Sequence, residues 1–288
     1  MHPAPSIIAF TTLSGLGFGL MAWLGIGAGA FGRLDALLLC CLSAGLAGAG
    51  LLASMLHLGQ PRRFLKAFSQ WRSSWLSREA ILAMATFAAF GVFGALWMLL
   101  GLRSPWLGGL AAALAVATVG ATAMIYPQLR SVPRWHSPLT PLVFLLAALA
   151  GGALLAGAVG PAPWLLGAFG LAQVAAWVVG DRRPGASTVA SATGLGGLGR
   201  VRLLAPPHTG TNYLLREMVY VVGRRHALKL RVIGILLAVV LPIAVVVLAS
   251  GPAAVVVAVL LHVPGVLVLR WLFFAEAEHV VGLYYGRG

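Results

Sequence analysis

A histidine and a carboxylate stand at the two edges of one basic, aromatic stretch. In ASMLHLGQPRRFLKAFSQWRSSWLSREAI, residues 53–81, His57 closes a long apolar run and Glu79 opens the next. Imidazole titrates near neutrality, and a half-buried glutamate can be tuned toward it, so the pair can hydrogen-bond a substrate oxygen and exchange protons with it. Each residue also has a plain structural use. His57 can bond a carbonyl at a helix end, and Glu79, with Ser77 ahead of it as N-cap, can complement a helix dipole. Between them lie Arg62, Arg63, Lys66, Arg72 and Arg78 with Trp71 and Trp75, the mixture that collects at a cytoplasmic membrane interface. Glu79 is the one carboxylate between Asp35 and Asp181. An ionisable group just inside a bilayer is costly unless paired or working, which makes it a functional candidate.

The elements that must position these residues are membrane helices. Hydrophobic residues make up 60% of the 288 and charged residues 9%, against ~25% charged in a soluble domain. With ~20 apolar residues needed per crossing, the hydropathy pattern predicts an all-α polytopic bundle of eight transmembrane helices in a single domain. The expected spans are about 6–31, 34–59, 78–101, 105–126, 138–159, 161–180, 229–250 and 252–275. Eight crossings put both termini on one side and fold residues 34–101 into a hairpin with His57 and Glu79 at the same face. The leader MHPAPS has no Lys or Arg, and its apolar run exceeds the ~7–15 residues of a signal core, so the first span counts as structure.

A net charge of +14 would suggest nucleic acid in a soluble protein, but its distribution along this topology is a better account. Of the 20 Lys and Arg, all but Arg33 and Arg103 fall on the side of the termini. The positive-inside rule therefore places both termini and the His57 hairpin in the cytoplasm, with membrane lipid and no nucleic acid as partner. Cys40 and Cys41 are the whole cysteine content and adjoin within one span. They exclude a disulfide framework and a four-cysteine metal site, so no metal is expected and any iron–sulfur chemistry belongs to a partner protein.

Taken in order, the first span carries Gly15, Gly17, Gly19, Gly25, Gly27 and Gly29, small residues that let helices approach closely. Residues 126–141, with four prolines, Tyr126 and Trp135, read as a stiff non-helical surface loop in which His136 is solvated. The long polar segment 181–228 reads as a cytoplasmic loop. Its GLGGLG resembles a dinucleotide fingerprint in letters only, since no strand precedes it. Leu214, Leu215, Met218, Val219 and Val222 then form one stripe, predicting an interfacial helix whose Arg216, Arg224 and Arg225 meet anionic lipid or a docked subunit. Pro242 reads as a tolerated kink, and His262 sits deep in the last span.

SMLHLGQP followed by SREA, the VPRWHSPLTP loop and the eight-span layout together resemble the membrane-anchor subunit of the dimethyl sulfoxide reductase family over nearly the whole chain. The resemblance implies a bacterial inner-membrane protein that binds a molybdopterin catalytic subunit and a four-cluster iron–sulfur subunit. It implies that the anchor exchanges electrons with a quinone, menaquinone or ubiquinone, while the clusters and the molybdenum cofactor stay in the partners. The family's quinol-site histidine falls on His57 and its carboxylate on Glu79. Arg63 and Arg78 would steady the site, Trp71 and Trp75 would pack on the ring, and Arg62, Lys66, Arg72, Arg216, Arg224 and Arg225 would dock subunits. Unlike the family pattern of a periplasmic catalytic dimer, the charge count here puts the docking face in the cytoplasm. NYLLREM and GRRHALKLR also resemble the sister branch attached to cytoplasmic sulfite-oxidising enzymes, which implies sulfite oxidation coupled to quinone reduction.

Three other readings compete. A quinol-oxidising anchor of a dimethyl sulfoxide or N-oxide reductase would run electrons the other way. A transporter would need broken helices and midplane charge, whereas the ionisable groups here gather at one face. A haem-b cytochrome would need two histidines at matching depth, and His57 and His279 lie near one face while His262 lies deeper; haem is not expected.

Overall fold

The computed structural model describes residues 1–29, 32–56, 68–182, 188–205, 208, 210 and 226–285, and these are helical with no strand among them. In chain order the long helices are α1 (Pro5–Gly25), α2 (Arg33–Met55), α3 (Trp75–Leu100), α4 (Pro105–Met124), α5 (Leu139–Leu155), α6 (Ala162–Asp181), α7 (Ala227–Leu248) and α8 (Pro252–Ala275). Seven are long and apolar enough to cross a membrane. The exception is α5, whose 17 residues rise about 25 Å against a hydrocarbon core of about 30 Å. The segment expected to form an interfacial helix, with Arg216, Arg224 and Arg225, lies outside the described residues, as do His57, Arg62, Arg63 and Lys66.

Helix α1 is the centre of the bundle. Of its most apolar stretch 72% is buried, against 28% for α2 and 22% for α7, and it packs on α2, α4, α5 and α8. Glycines make this possible. A methyl group on Gly17 would strike the α2 backbone at Ala47, one on Gly19 would strike the α5 backbone at Ala148, and one on Gly25 would strike the α4 backbone at Gly108. Gly50 of α2, Gly108 of α4 and Gly152 of α5 reciprocate from the facing helices. Between membrane helices no hydrophobic drive separates protein from lipid, so contact of this closeness supplies the association energy by van der Waals packing. The helix stops at Gly25, short of the expected residue 31, because Gly27 and Gly29 take φ of 88° and 76°. Those left-handed values suit a residue without Cβ and end the helix.

At the end of the bundle holding the α3–α4 turn, Gly101 (φ 71°) closes the π-helical last turn of α3, Leu96–Leu100. There Arg103 donates to the Gly29 carbonyl at 2.9 Å and covers the Trp97 ring at 4.2 Å. Arg33 lies against Gly101.

Pro242 of α7 is more than a tolerated kink. Proline has no N–H to give the carbonyl four residues back, which is Ala238, inside a π-helical turn at Leu236–Val240. His262 of α8 is 1% exposed, and its Nδ1 lies 2.6 Å from the Ala238 oxygen. Gly265 lets α8 come up against the same α7 turn. The imidazole thus bonds a carbonyl that the helix cannot serve, while its Nε2 has no partner among the described residues.

Gly19→Ala should therefore destabilise the protein in detergent by about 1–3 kcal/mol through overpacking. Gly15→Ala, whose new methyl would meet only the Ala148 side chain at 3.8 Å, should stay near wild type. Thermal unfolding of the two variants side by side checks this.

Candidate functional site

Helix α3 begins a turn earlier than Ser77. Ser74 is its N-cap, accepting from the Ser77 N–H at 3.4 Å, so Glu79 lies beyond the first turn and is not a cap. Its side chain turns into the bundle instead and is 3% exposed. Thr122, near the end of α4, donates to Glu79 Oε1 at 2.6 Å. Below this pair the hydroxyls of Thr86 and Thr118 meet at 3.0 Å, so a line of buried hydroxyls follows the α3–α4 seam. A buried carboxyl that accepts a hydroxyl hydrogen bond is the kind of group that can exchange a proton with a neighbour.

Among the described residues, Arg72 and Arg78 make no ion pair with Glu79. Arg78 donates to the carbonyls of Trp71 and Arg72, at 2.9 and 2.7 Å, and lies 4.3 Å above the Trp75 ring. Arg72 lies over Trp71 at 5.3 Å, and Trp71 is exposed. Arg78 thus organises the turn into α3, and Trp75 is occupied by a cation on one face.

The stretch after α4, expected at the surface, keeps Gln128, Leu129, Arg130 and His136 exposed but turns Tyr126, Val132 and Trp135 into a core. Val132 is 1% and Trp135 3% exposed. Tyr126 meets Trp135, Phe144, Phe273 and Phe274 with centroids 5.1–5.7 Å apart, and Trp135 stacks on Phe273 and donates Nε1–H to its carbonyl at 3.0 Å. His136 is exposed, with Nδ1 against the Pro127 carbonyl. The prolines stiffen a segment whose inner side plugs the end of the bundle against α8.

Three features at this end are not evident from residue order. First, Tyr126 is buried at the end of α4, 4% exposed, among the aromatic rings of this end of the bundle. Second, Arg270 of α8 is 5% exposed and lies 3.5 Å over the Phe144 ring. It borders a small cavity with Thr11, Ser14 and Thr122, the residue that bonds Glu79. Third, Arg134 bridges Asp181 (2.6 Å) and Glu276 (2.9 Å), and Arg231 bridges the same two at 2.6 and 2.7 Å. This closed square ties the 126–141 stretch, α6, α7 and α8 together. The one sequence signal for Arg270 is its place inside a span, where a cation is costly enough to suggest a role.

With this geometry in hand, comparison with known proteins is decisive about kinship. The model of the DMSO reductase anchor subunit (DmsC) family matches residues 7–179. The protein belongs to that family. The anchor is also 34% identical to the C subunit of the sulfite dehydrogenase of Allochromatium vinosum, over 99% of both proteins. It is 37% identical to the C component of the anaerobic dimethyl sulfoxide reductase of Escherichia coli, over 38% of the anchor and 39% of that relative. No solved structure matches it. The family match ends before α7, so Arg231, Arg270 and Glu276 lie beyond it. The anchor is a multi-pass membrane protein.

Thr122→Val strands the Glu79 oxygen and should cost about 1–3 kcal/mol of stability, while Thr122→Ser keeps the donor and should cost little. Glu276→Ala leaves two half-buried guanidinium groups short of a partner and should cost about 3 kcal/mol. Denaturant titration of the solubilised protein measures both.

Proposed function

We propose that this anchor is the quinone-reactive subunit of a sulfite-oxidising molybdoenzyme complex. It crosses the membrane eight times with both termini in the cytoplasm. A molybdopterin catalytic subunit and a four-cluster iron–sulfur subunit dock on the cytoplasmic face, over the 57–79 hairpin and the 181–228 loop with its cations Arg62, Lys66, Arg72, Arg216, Arg224 and Arg225. The observation that carries this reading is Glu79, buried and held by Thr122 at the end of the bundle where most of the cations gather. The full-length similarity to a sulfite dehydrogenase subunit supports the substrate.

The overall chemistry balances across the complex. Sulfite and water yield sulfate, two protons and two electrons; one quinone takes up two electrons and two protons to become quinol. The molybdenum centre and the clusters of the partners supply the first half and the conduction. The anchor's own task is the second half: to hold the quinone and deliver protons to its oxygens. His57 and Glu79 perform it, with Arg63, Arg78, Trp71 and Trp75 around them. Cys40 is buried and Cys41 exposed on adjacent positions of α2, and no group of three metal-ligating side chains occurs among the described residues.

A second reading, a quinol-oxidising anchor of a sulfoxide reductase, is favoured by the Escherichia coli similarity over part of the sequence. The two differ in direction, which turnover decides. The purified complex should reduce decyl-quinone with sulfite as donor, and His57→Ala and Glu79→Gln should each lower that rate about a hundredfold, as loss of a proton-transfer group does. Quinol-driven reduction of dimethyl sulfoxide without sulfite oxidation would reverse the assignment. Undiminished turnover in both variants would move the quinone site elsewhere.

A further inference from the structure

Arg270 is a buried cation with no counter-charge among the described residues. The four ion pairs at this end join Arg134 and Arg231 to Asp181 and Glu276 and leave it out, and its Nε finds no hydrogen-bond partner among those residues. A desolvated N–H on a charged group is costly without an acceptor. Arg270 borders a cavity of about 10 Å³, close to the least room that holds one water molecule. The other polar walls are Thr11 and Ser14 of α1 and Thr122 of α4, each 3–5% exposed. All three hydroxyls already direct their protons elsewhere. Thr11 donates to the Ile7 carbonyl at 2.9 Å, Ser14 to that of Phe10 at 2.7 Å, and Thr122 to Glu79 Oε1 at 2.6 Å. What they have left for the cavity is lone pairs.

We infer that this cavity binds a single water molecule, which accepts from Arg270 Nε and donates to two of the three hydroxyl oxygens, Thr122 among them. That makes three hydrogen bonds, the usual number for a buried water. Size and charge exclude the alternatives. A cation would face the guanidinium, an anion would face three sets of lone pairs, and a larger molecule does not fit. The water extends the Glu79–Thr122 pair into a chain from Arg270 to water to Thr122 to Glu79. Every donor in that chain points toward the carboxyl, so each hydrogen bond polarises the next. Thr122 has a second acceptor, the Thr118 carbonyl at 3.1 Å, and the water holds its proton on Glu79 instead. Arg270 is thus a positioning residue that acts on Glu79 through the water. The water site stands apart from the quinone reading, and only its consequence for proton exchange at Glu79 rests on that reading.

The site is tested by X-ray hydroxyl-radical labelling of the full-length protein in lipid vesicles, because radiolysis of a bound water oxidises the side chains that touch it even where bulk water does not reach. Phe144, 2% exposed, lines this cavity. Phe18, 1% exposed, lines a cavity with apolar walls only, of the kind that stays dry. Phe144 should be oxidised and Phe18 should not, and Arg270→Met should bring Phe144 down to the level of Phe18. In the purified complex Arg270→Met should lower kcat about tenfold, the effect of one charge-assisted hydrogen bond, at unchanged KM for decyl-quinone. Phe144 labelled no faster than Phe18 in the wild type would overturn the water site. Label that survives Arg270→Met would overturn Arg270 as its holder. Label lost with kcat unchanged, or with a raised KM in its place, would leave the water standing and overturn its link to Glu79. A complex without quinone turnover would overturn the proposed function and leave the water to the labelling.

Discussion

The bundle depends on how closely α1 can approach its neighbours. Lipid is as apolar as leucine, so nothing but packing and hydrogen bonding draws these helices together. Gly17, Gly19 and Gly25 set α2, α5 and α4 directly on the α1 backbone, and Gly152 and Gly108 answer from the other side. Once α4 is pinned there, its far end presents Thr122 to whatever packs beside it. That neighbour is α3, which brings Glu79. The surroundings of the candidate proton-exchanging carboxylate thus follow from glycines on a helix that carries no charge of its own.

Two arrangements of buried charge share the end of the bundle and have opposite characters. The square of Arg134, Asp181, Arg231 and Glu276 is complete, since each member meets both oppositely charged members. Such a network joins three helix ends and a loop and leaves none of its charges unpaired. Arg270 is incomplete, its buried Nε without a hydrogen-bond partner among the described residues. Unsatisfied polar groups in a tightly packed protein call for an explanation, and the closed square beside them makes the contrast plain. Stability has been settled at one site and left open at the next.

Much of this was legible in the residues. The spacing of apolar runs, the segregation of Lys and Arg, and the unusual position of Glu79 all stand in the sequence, as does the resemblance carried by SMLHLGQP. Other features were misjudged for identifiable reasons. Ser77 looked like a cap because it precedes the charged pair, but Ser74 has the extended backbone that a cap needs. Residues 126–141 looked like a surface loop because prolines and polar residues dominate it. Its Tyr126, Val132 and Trp135 are buried only because α8 returns with Phe273 and Phe274 to cover them. His262 and Pro242 were read as separate oddities on two different helices, although one bonds the carbonyl that the other leaves unserved.

Hydropathy, charge order and motif by themselves determined that this is a helical, multi-pass membrane protein of the anchor family, with an ionisable pair flanking one basic turn. Tertiary structure alone decided which groups meet: Glu79 with Thr122, Arg270 with an aromatic face and two cavities, four charges in a closed square. The reason is physical. A soluble helix announces its inward face by an apolar stripe, but a helix in lipid is apolar on every side, so the sequence carries no periodic signal for its rotation. That rotation is set by where small residues permit backbones to touch, and only the folded bundle records it.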